Sequence, residues 1–267
     1  MPQNMNIGFI GGGNMAEAII KGLLAGGVPA ASLAVAEPLE ARAAVLTDRY
    51  GIRTLSDNRA LCAASDTVIL AVKPQVYRAA LTGIPAAGKL FISIMAGVKS
   101  TDLEALLGAD ARVVRVMPNT PALVLAGASA LSRGALANDE DLALTRRIFD
   151  LVGTTCVVEE KLLDAVTGVS GSGPAYVLTF IEALADAGVK HGLTRDVATA
   201  LAAQTVYGSA KLLLETREHP AVLKGNVASP GGTTIAAMHS LDRDGFRAAT
   251  MNAVDVCVAK SRELGAK

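Results

Sequence analysis

The sequence predicts a two-part protein in which a doubly wound α/β half precedes an all-helical half. From Asn6 to about Val158, short runs of β-branched and other apolar residues alternate with amphipathic segments, as a parallel sheet covered by helices requires. After Glu160 these runs stop, and long Ala- and Leu-rich segments with a 3.6-residue period follow. The 267 residues suffice for two domains. We therefore expect domains at residues 1–160 and 161–267.

The first half contains eight predicted strands, and predicted helices separate most of them. The predicted strands are Ile7–Ile10, Leu33–Ala36, Arg53–Leu55, Thr67–Val72, Leu90–Ile94, Val113–Met117, Ala128–Leu131 and Cys156–Val158. The predicted helices include Ala16–Ala25, Glu40–Tyr50, Arg59–Ala64, Thr101–Leu107 and Asp139–Val152.

The second half is predicted to be helical throughout. Several of its helices carry apolar residues on more of their surface than a small bundle can bury, and the segment from Ala198 to Leu214 is the clearest case. This excess predicts an all-α dimerisation domain, and hence a homodimer or a larger homo-oligomer built from dimers. The predicted helices are Leu162–Val169, Ala175–Gly188, Arg195–Thr216, Thr234–Leu241 and Phe246–Leu264.

Composition excludes several classes of partner. The numbers of basic and acidic residues are equal, 25 each, so nothing favours nucleic acid or an anionic membrane. Cys62, Cys156 and Cys257 are far apart and lack metal-binding spacing, so we expect buried free thiols and no metal site. The N-terminus does not resemble a signal peptide and no apolar run suits a membrane span. We expect a cytoplasmic protein that binds a small molecule.

A glycine-rich motif follows the first predicted strand. Gly11-Gly12-Gly13-Asn14-Met15-Ala16 is a version of the dinucleotide fingerprint, in which the first glycine makes the turn and the second lets a pyrophosphate approach. Because a strand precedes the motif and a helix follows it, a merely tight turn is the weaker reading. We expect a Rossmann-type fold in which Gly11, Gly13, Asn14 and Met15 bind NADPH or NADH.

The residue after the second predicted strand, Glu37, bears on the choice of cofactor. A carboxylate at this position accepts hydrogen bonds from the adenosine ribose hydroxyls and repels a 2′-phosphate, which favours NADH. Arg42 lies close downstream and offers a partner for such a phosphate, and Glu37 can also be read as a solvated loop carboxylate. The sequence leaves both cofactors open.

Three later strands end in loops that should carry the reaction. In doubly wound sheets the ligand lies at the carboxyl ends of the strands, which places nicotinamide and substrate near these loops. Lys73 either attracts an anionic ligand or projects into water. The three loops are Ala71–Pro74, Met95–Gly97 and Met117–Pro121.

A turn in the helical half, Ser229-Pro230-Gly231-Gly232-Thr233-Thr234, opens directly into a predicted helix. A helix start carries backbone N–H groups without intrahelical partners and a partial positive charge, so it can hold a small anion. On its own the segment favours the simpler interpretation, a well-capped helix after a turn.

The most specific motifs of the chain occur together in one known family. With them the chain resembles pyrroline-5-carboxylate reductase from its first strand to Leu264, essentially its whole length. These motifs are Phe9–Ala16, Ala71–Gln75, Pro118–Pro121, Asp164–Gly168 with Ser170–Tyr176, and Val227–Thr234.

The resemblance implies a Rossmann domain, a helical domain that intertwines with a partner subunit, and reduction of 1-pyrroline-5-carboxylate to L-proline by NADPH or NADH. This reaction is the last step of proline biosynthesis. By the same resemblance, Ser229, Gly232, Thr233 and Thr234 hold the substrate carboxylate and face the ring nitrogen.

The resemblance also suggests residues that flank the cofactor. The family position at Glu37 varies and often carries a small hydroxyl or basic residue where NADP is preferred, so this chain departs from the pattern there. The implied contacts are Asn58 near the adenosine ribose, Ala71, Lys73 and Pro74 beside the nicotinamide ribose, and Met95, Ala96 and Asn119 in the nearby cleft.

Reduction of a cyclic imine makes modest demands on catalytic side chains. A substrate bound as its iminium ion is already activated, so no strong acid is needed, and the sequence offers no paired carboxylates and no His/Asp constellation. His191, His219 and His239 are isolated and favour surface or packing roles. Thr234 is our candidate catalytic residue, positioning the imine nitrogen by a hydrogen bond.

The sequence leaves two alternative functions open. A related dehydrogenase of small hydroxy acids would need a catalytic lysine inside a helix, and the nearest candidate, Lys190, lies at a predicted helix end between Gly188 and Gly192. A non-catalytic dinucleotide sensor that dimerises through its helices is the other alternative, and the intact 229–234 turn argues against it.

Overall fold

The computed structural model describes residues 5–108 and 110–265, which form two compact units. The first unit contains the described residues up to Ser172 and those from Cys257 onward, and the second is Gly173–Val256. Residues 161–172 and 257–265 thus belong to the first unit, although they lie in the segment that the sequence assigned to the helical half. The chain leaves the first unit once and returns to it at its end.

Eight strands form a single sheet in the first unit. Their order is β3-β2-β1-β4-β5-β6-β7-β8, and it reverses direction at β1 and β4, where doubly wound sheets open a crevice for ligands. The strands are β1 (Ile7–Ile10), β2 (Leu33–Ala36), β3 (Arg53–Leu55), β4 (Thr67–Leu70), β5 (Leu90–Ser93), β6 (Arg112–Met117), β7 (Gly127–Arg133) and β8 (Gly153–Val157).

One strand pair departs from the parallel sheet that the sequence led us to expect. β7 runs antiparallel to β6, with Met117 opposite Ala130, whereas the other pairs are parallel. The connection between the two strands holds only a 3₁₀ turn at Thr120–Val124. Because a parallel crossover needs a dozen or more residues, so short a link returns the chain in the opposite direction.

Helices cover both faces of this sheet. Successive residues of each central strand point to opposite faces, and accordingly Phe9 joins one hydrophobic core while Ile10 joins the other. The helices of the first half are α1 (Asn14–Ala25), α2 (Glu40–Tyr50), α3 (Asn58–Ala63), α4 (Tyr77–Leu81), α5 (Ser100–Leu107), α6 (Asp139–Phe149) and α7 (Leu163–Val166).

The second unit consists of helices. Its first two helices, Gly173–Lys190 and Arg195–Thr216, pack together through small residues, Ala185 against Ala198 and Ala202, beside Ile181. Many larger apolar side chains are exposed on this unit, as the sequence predicted, and Leu214 keeps 74% of its surface accessible. The helices are α8 (Gly173–Lys190), α9 (Arg195–Thr216), α10 (Pro220–Val227), α11 (Thr233–Arg243) and α12 (Phe246–Gly265), of which α12 continues into the first unit.

The last turns of α12 are fastened to the first unit by polar contacts. The Ser261 hydroxyl donates to Asp164 Oδ1 at 2.6 Å, and Ser261 is buried. The Cys257 thiol lies 3.2 Å from the Ser172 hydroxyl. These contacts tie the end of the chain to the segment that follows the sheet.

Candidate nucleotide-binding and substrate-binding sites

The glycine motif forms the turn between β1 and α1. Gly11 has φ +97°, and a Cβ there would lie 2.8 Å from the Ala71 carbonyl oxygen, so a side chain would collide with the backbone beyond β4. Gly13 precedes α1, and a Cβ placed on it would have no atom within 4 Å. Asn14 and Met15 begin the helix, whose start lacks a side-chain cap. Open space beside uncapped N–H groups fits a dinucleotide pyrophosphate.

Glu37 is brought onto this turn from the end of β2. Its Oε2 accepts a hydrogen bond from the Gly12 N–H at 2.9 Å, and its Oε1 accepts one from the Leu39 N–H at 3.0 Å. The side chain is half-buried. Glu37 and the glycine turn, which the sequence linked only through the expected cofactor, are thus in direct contact.

A charged cluster behind the turn was not foreseen from the sequence. Arg42 donates from Nε to the Gly12 carbonyl oxygen at 2.6 Å and from Nη2 to Glu17 Oε2 at 2.5 Å. Glu17 Oε1 accepts further hydrogen bonds from Arg49 at 2.6 Å and Tyr50 at 2.8 Å. The only sign of this cluster in the sequence is an acidic residue, Glu17, in the first turn of α1. Its partners could not be identified from the sequence because they lie on another helix, α2.

Hydrogen bonds keep Glu17 ionised. Burial alone would raise its pKa, yet the hydrogen bonds from Arg42 and Tyr50, with the positive charge of Arg42, outweigh burial and lower the pKa below its ordinary value. The side chain is 12% exposed. The cluster therefore holds a permanent negative charge between two guanidinium groups.

The other predicted cofactor residues lie at the ends of the strands, as expected. The Ala71 N–H donates to the Ile10 carbonyl oxygen at 2.9 Å, and Pro74 begins a 3₁₀ turn at Pro74–Val76. Lys73 is exposed. Met95 is buried in the second core, whereas Ala96 is exposed.

Two predicted amide side chains are engaged within the fold. Asn119 is 8% exposed, and its Oδ1 accepts from the Ala128 N–H at 2.8 Å while its Nδ2 donates to the Ser170 carbonyl oxygen at 3.1 Å. Asn58 donates to the Ala80 carbonyl oxygen at 2.9 Å. Both contacts hold loops in place, and contact of either residue with a cofactor stays a prediction.

Helix α7 continues into a π-helical turn at Thr167–Gly171, which ends just before α8. A Cβ on Gly171 would lie 2.6 Å from the Met117 methyl carbon, so the small residue lets this turn approach β6.

The predicted substrate residues come together in the second unit. The Gly232 N–H donates to the Ser229 carbonyl oxygen at 3.0 Å, and Gly231 has φ +69°, which is typical of a type II turn after Pro230. Gly232 precedes α11, which has no side-chain cap. Thr234 is half-buried in its first turn. This arrangement presents uncapped N–H groups and hydroxyl groups at one helix start.

Other titratable residues stay outside these two sites. His219 Nδ1 accepts from the Ala221 N–H at 3.2 Å and so caps α10, while His191 and His239 are exposed. Burial raises the pKa of the Cys62 thiol to about 11, but the expectation of buried thiols was wrong for Cys156, which lies on the edge strand β8 and is exposed.

The described ranges contain no cluster of three or more His, Cys, Asp or Glu side chains that could hold a metal ion. Within residues 5–108 and 110–265, none of the helices is long and apolar enough to cross a bilayer.

Comparison with known proteins supports the predicted character of both halves of the chain. Residues 6–97 match the family model described as "NADP oxidoreductase coenzyme F420-dependent", and residues 160–264 match "Pyrroline-5-carboxylate reductase dimerisation". A pyrroline-5-carboxylate reductase of Arabidopsis thaliana is 45% identical over 266 residues, covering 98% of this chain and 96% of the relative.

Solved structures agree over the same length. A pyrroline-5-carboxylate reductase from Coxiella burnetii has a TM-score of 0.90 at 35% identity, covering 98% of each chain. The Plasmodium falciparum pyrroline carboxylate reductase, solved with NADP bound, has a TM-score of 0.89 at 34% identity and covers 98% of this chain and 99% of that one. The chain belongs to the pyrroline-5-carboxylate reductase family.

Proposed function

We propose that this protein reduces 1-pyrroline-5-carboxylate to L-proline with a hydride from NADPH or NADH. The observation that carries the proposal is the near-full-length identity to reductases of this name, at 45% over 266 residues in the Arabidopsis thaliana relative. The glycine turn and the 229–234 turn, found in separate units, supply the two binding functions that this reaction needs.

The start of α11 is the proposed carboxylate-binding site. Its uncapped N–H groups and the positive end of its dipole favour an anion, and Gly232 leaves the backbone accessible beside Ser229. Hydroxyl groups of Ser229 and Thr233 add donors at the same place. These residues would grip one end of the substrate ring and fix its orientation.

Thr234 is the proposed positioning group for the ring nitrogen. Its hydroxyl oxygen can accept a hydrogen bond from the N–H of an iminium ion, which leaves the neighbouring carbon electrophilic without any proton transfer from the protein. Thr234 is half-buried in the first turn of α11. Orientation of this kind can provide a large part of the rate acceleration.

The first unit is the proposed cofactor site. When bound, the nicotinamide nucleotide supplies the hydride. Gly11 and Gly13 would admit its pyrophosphate to the start of α1, where Asn14 and Met15 lie. Side chains and backbone at the strand ends would then flank the rest of the molecule, namely Glu37, Asn58, Ala71, Lys73, Pro74, Met95, Ala96 and Asn119.

Assembly through the helical unit completes the proposal. The match of residues 160–264 to a dimerisation family and the exposed apolar side chains of α8 and α9 both support a homodimer, alone or as part of a larger assembly.

Purified protein mixed with pyrroline-5-carboxylate tests the function directly. We expect loss of absorbance from NADH or NADPH, followed in parallel reactions, together with proline formation measured by chromatography. Oxidation of neither nucleotide would contradict the proposal. Oxidation with a small keto acid but not with the imine would favour the hydroxy-acid dehydrogenase alternative, although Lys190 is an exposed residue at the end of α8.

A further inference from the structure

Four charged residues surround the point where β2 ends beside the glycine turn: Glu37, Glu17, Arg42 and Arg49. We call them the selectivity cluster. We propose that this protein selects NADH over NADPH, with Glu37 rejecting a 2′-phosphate and Glu17 withholding the arginine that would otherwise bind it. The inference rests on the proposed function in one respect, that the glycine turn binds a nicotinamide dinucleotide.

The first part of the proposal depends on how firmly Glu37 is held. Its two carboxylate oxygens accept separate backbone N–H groups, from Gly12 at 2.9 Å and Leu39 at 3.0 Å. Both contacts are charge-assisted, which makes them stronger than ordinary hydrogen bonds. The negative charge therefore stays at the end of β2, where ribose hydroxyls are recognised in this type of fold. A hydroxyl can donate to this carboxylate, whereas a phosphate is repelled by it.

The second part concerns Arg42, the basic residue best placed to neutralise such a phosphate. Its guanidinium is 24% exposed and already makes two hydrogen bonds, from Nε to the Gly12 carbonyl oxygen and from Nη2 to Glu17. A turn toward a phosphate would break both contacts and leave the ionised Glu17 without one of its partners. In this arrangement Arg42 stabilises the turn and does not serve as a phosphate ligand.

Glu17 is the residue that fixes this choice. One oxygen binds Arg42, and the other binds both Arg49 and Tyr50. A single buried carboxylate thus engages two guanidinium groups. The four residues of the selectivity cluster have a net charge of zero. Glu37, the carboxylate that contacts the glycine turn, has no arginine partner among the described residues. Glu17 is accordingly a positioning residue, which acts on the ligand through Arg42.

Two small ligands isolate this effect from the chemistry of reduction. Adenosine 5′-monophosphate and adenosine 2′,5′-bisphosphate differ only in the 2′-phosphate and carry no nicotinamide. By isothermal titration calorimetry of the full chain, we expect the monophosphate to bind about tenfold more tightly or better. In Glu37→Ser, affinity for the bisphosphate should rise by about tenfold while affinity for the monophosphate falls.

A second pair of variants tests the role of Glu17. Adding Glu17→Gln to Glu37→Ser should raise affinity for the bisphosphate by a further factor of about three to ten, because the neutral amide holds Arg42 less firmly. Adding Arg42→Ala to that double variant should remove the further gain. Asp48→Asn is the matched control, since it removes a negative charge from an exposed position on the same helix, α2, and should leave both affinities unchanged.

Different outcomes test the roles of Glu37 and of Glu17 separately. Tighter binding of the bisphosphate by the unaltered protein, or an unchanged preference in Glu37→Ser, would overturn the part assigned to Glu37. A further gain that survives Arg42→Ala would overturn the part assigned to Glu17. Retained binding of the monophosphate in each variant shows that the turn is still folded. Because neither ligand reacts, failure of the imine reductase assay would leave these results interpretable.

Discussion

The proposed substrate site in the second unit depends on Thr234 and a few neighbouring residues. The threonine lies in the first turn of α11, where the backbone sets the direction of its side chain. The turn before it depends on Gly231 with φ +69° and on Gly232, whose missing Cβ would otherwise lie 2.2 Å from the Ser229 hydroxyl. In the proposed function, the orientation of the substrate ring would therefore depend on single atoms.

Replacement of Thr234 by Ala tests that role. We expect kcat to fall by about a hundredfold, because loss of one orienting contact leaves the imine carbon misplaced. Nucleotide affinity measured by calorimetry should not change. Thr234→Ser should recover most of the rate, since it restores the hydroxyl, and Thr101→Ala, an exposed threonine on α5, should behave as the unaltered protein. Unaltered kinetics in Thr234→Ala would contradict the assignment.

Gly11 and Gly13 offer a second comparison between neighbouring positions. Gly11→Ala should lower the free energy of unfolding by about 2 kcal/mol, since φ +97° and the Ala71 carbonyl oxygen both oppose a side chain. Gly13→Ala should leave the melting temperature nearly unchanged, because its Cβ meets no protein atom. It should nevertheless weaken nucleotide binding, since the methyl group occupies the expected path of the pyrophosphate. Equal stability of the two variants in urea titrations would count against this distinction.

Helix α5 illustrates how an element in this fold is capped from a distance. Its first residue, Ser100, gives its N–H and hydroxyl to the two oxygens of Glu160, at 2.7 and 2.6 Å. Arg115 on β6 adds an ion pair to Glu160 at 2.8 Å and is only 9% exposed. Burial raises the pKa of Glu160, but these hydrogen bonds prevail and lower it below its ordinary value.

Glu160→Gln should therefore destabilise the protein by about 2 kcal/mol at neutral pH, because the buried Arg115 loses its anionic partner. A lowered pKa in the folded state means that this contribution is present above the ordinary pKa of 4.5 and is lost as the pH falls through the folded value. The difference in melting temperature from the unaltered protein should shrink below pH 4.5.

Glu159→Gln, whose partner Lys161 is 74% exposed, should change stability by less than about 0.5 kcal/mol. A constant difference from pH 7 to acid would contradict this linkage.

At the scale of elements, much of this architecture could be predicted from periodicity. The bounds of α2 and α9 and of the first three strands were predicted correctly, because local pattern and flanking turn residues mark them. Three features were missed for physical reasons. α10 is short and begins at Pro220 after an unusual histidine cap, and the direction of β7 depends on loop length. The π-helical turn Thr167–Gly171 lies close to Met117 of β6, a contact between segments that no local pattern indicates.

The candidate sites were predictable to the extent that they are local in sequence. The turns at Gly11–Gly13 and Ser229–Thr234 are contiguous, so residue type and order identify them. The contacts of Glu17 with Arg42 and of Glu160 with Arg115 join residues 25 and 45 positions apart. No periodic pattern indicates such pairs, because the fold must first bring the elements together.

For the whole molecule, the exposed apolar surface of the second unit is the dominant feature. Leu201→Asp on α9 should raise the dissociation constant of the proposed dimer by about tenfold or more, since a carboxylate would be desolvated at the interface. Light scattering coupled to size-exclusion chromatography over a dilution series measures this. Leu39→Asp in the first unit, 67% exposed, should leave the molecular mass unchanged. An unaltered protein that stays monomeric at micromolar concentration would refute assembly through these helices.

The return of α12 to the first unit has a consequence for biosynthesis. The nucleotide-binding unit contains residues from both ends of the described chain, with Ser261 fastened to Asp164. Because Ser261 follows the helical segment in the chain, this contact can form only after that segment has been translated, whereas all eight strands of the sheet precede it. A chain that stops at Val256 should accumulate as a protease-sensitive intermediate, even though every strand of its sheet has been made.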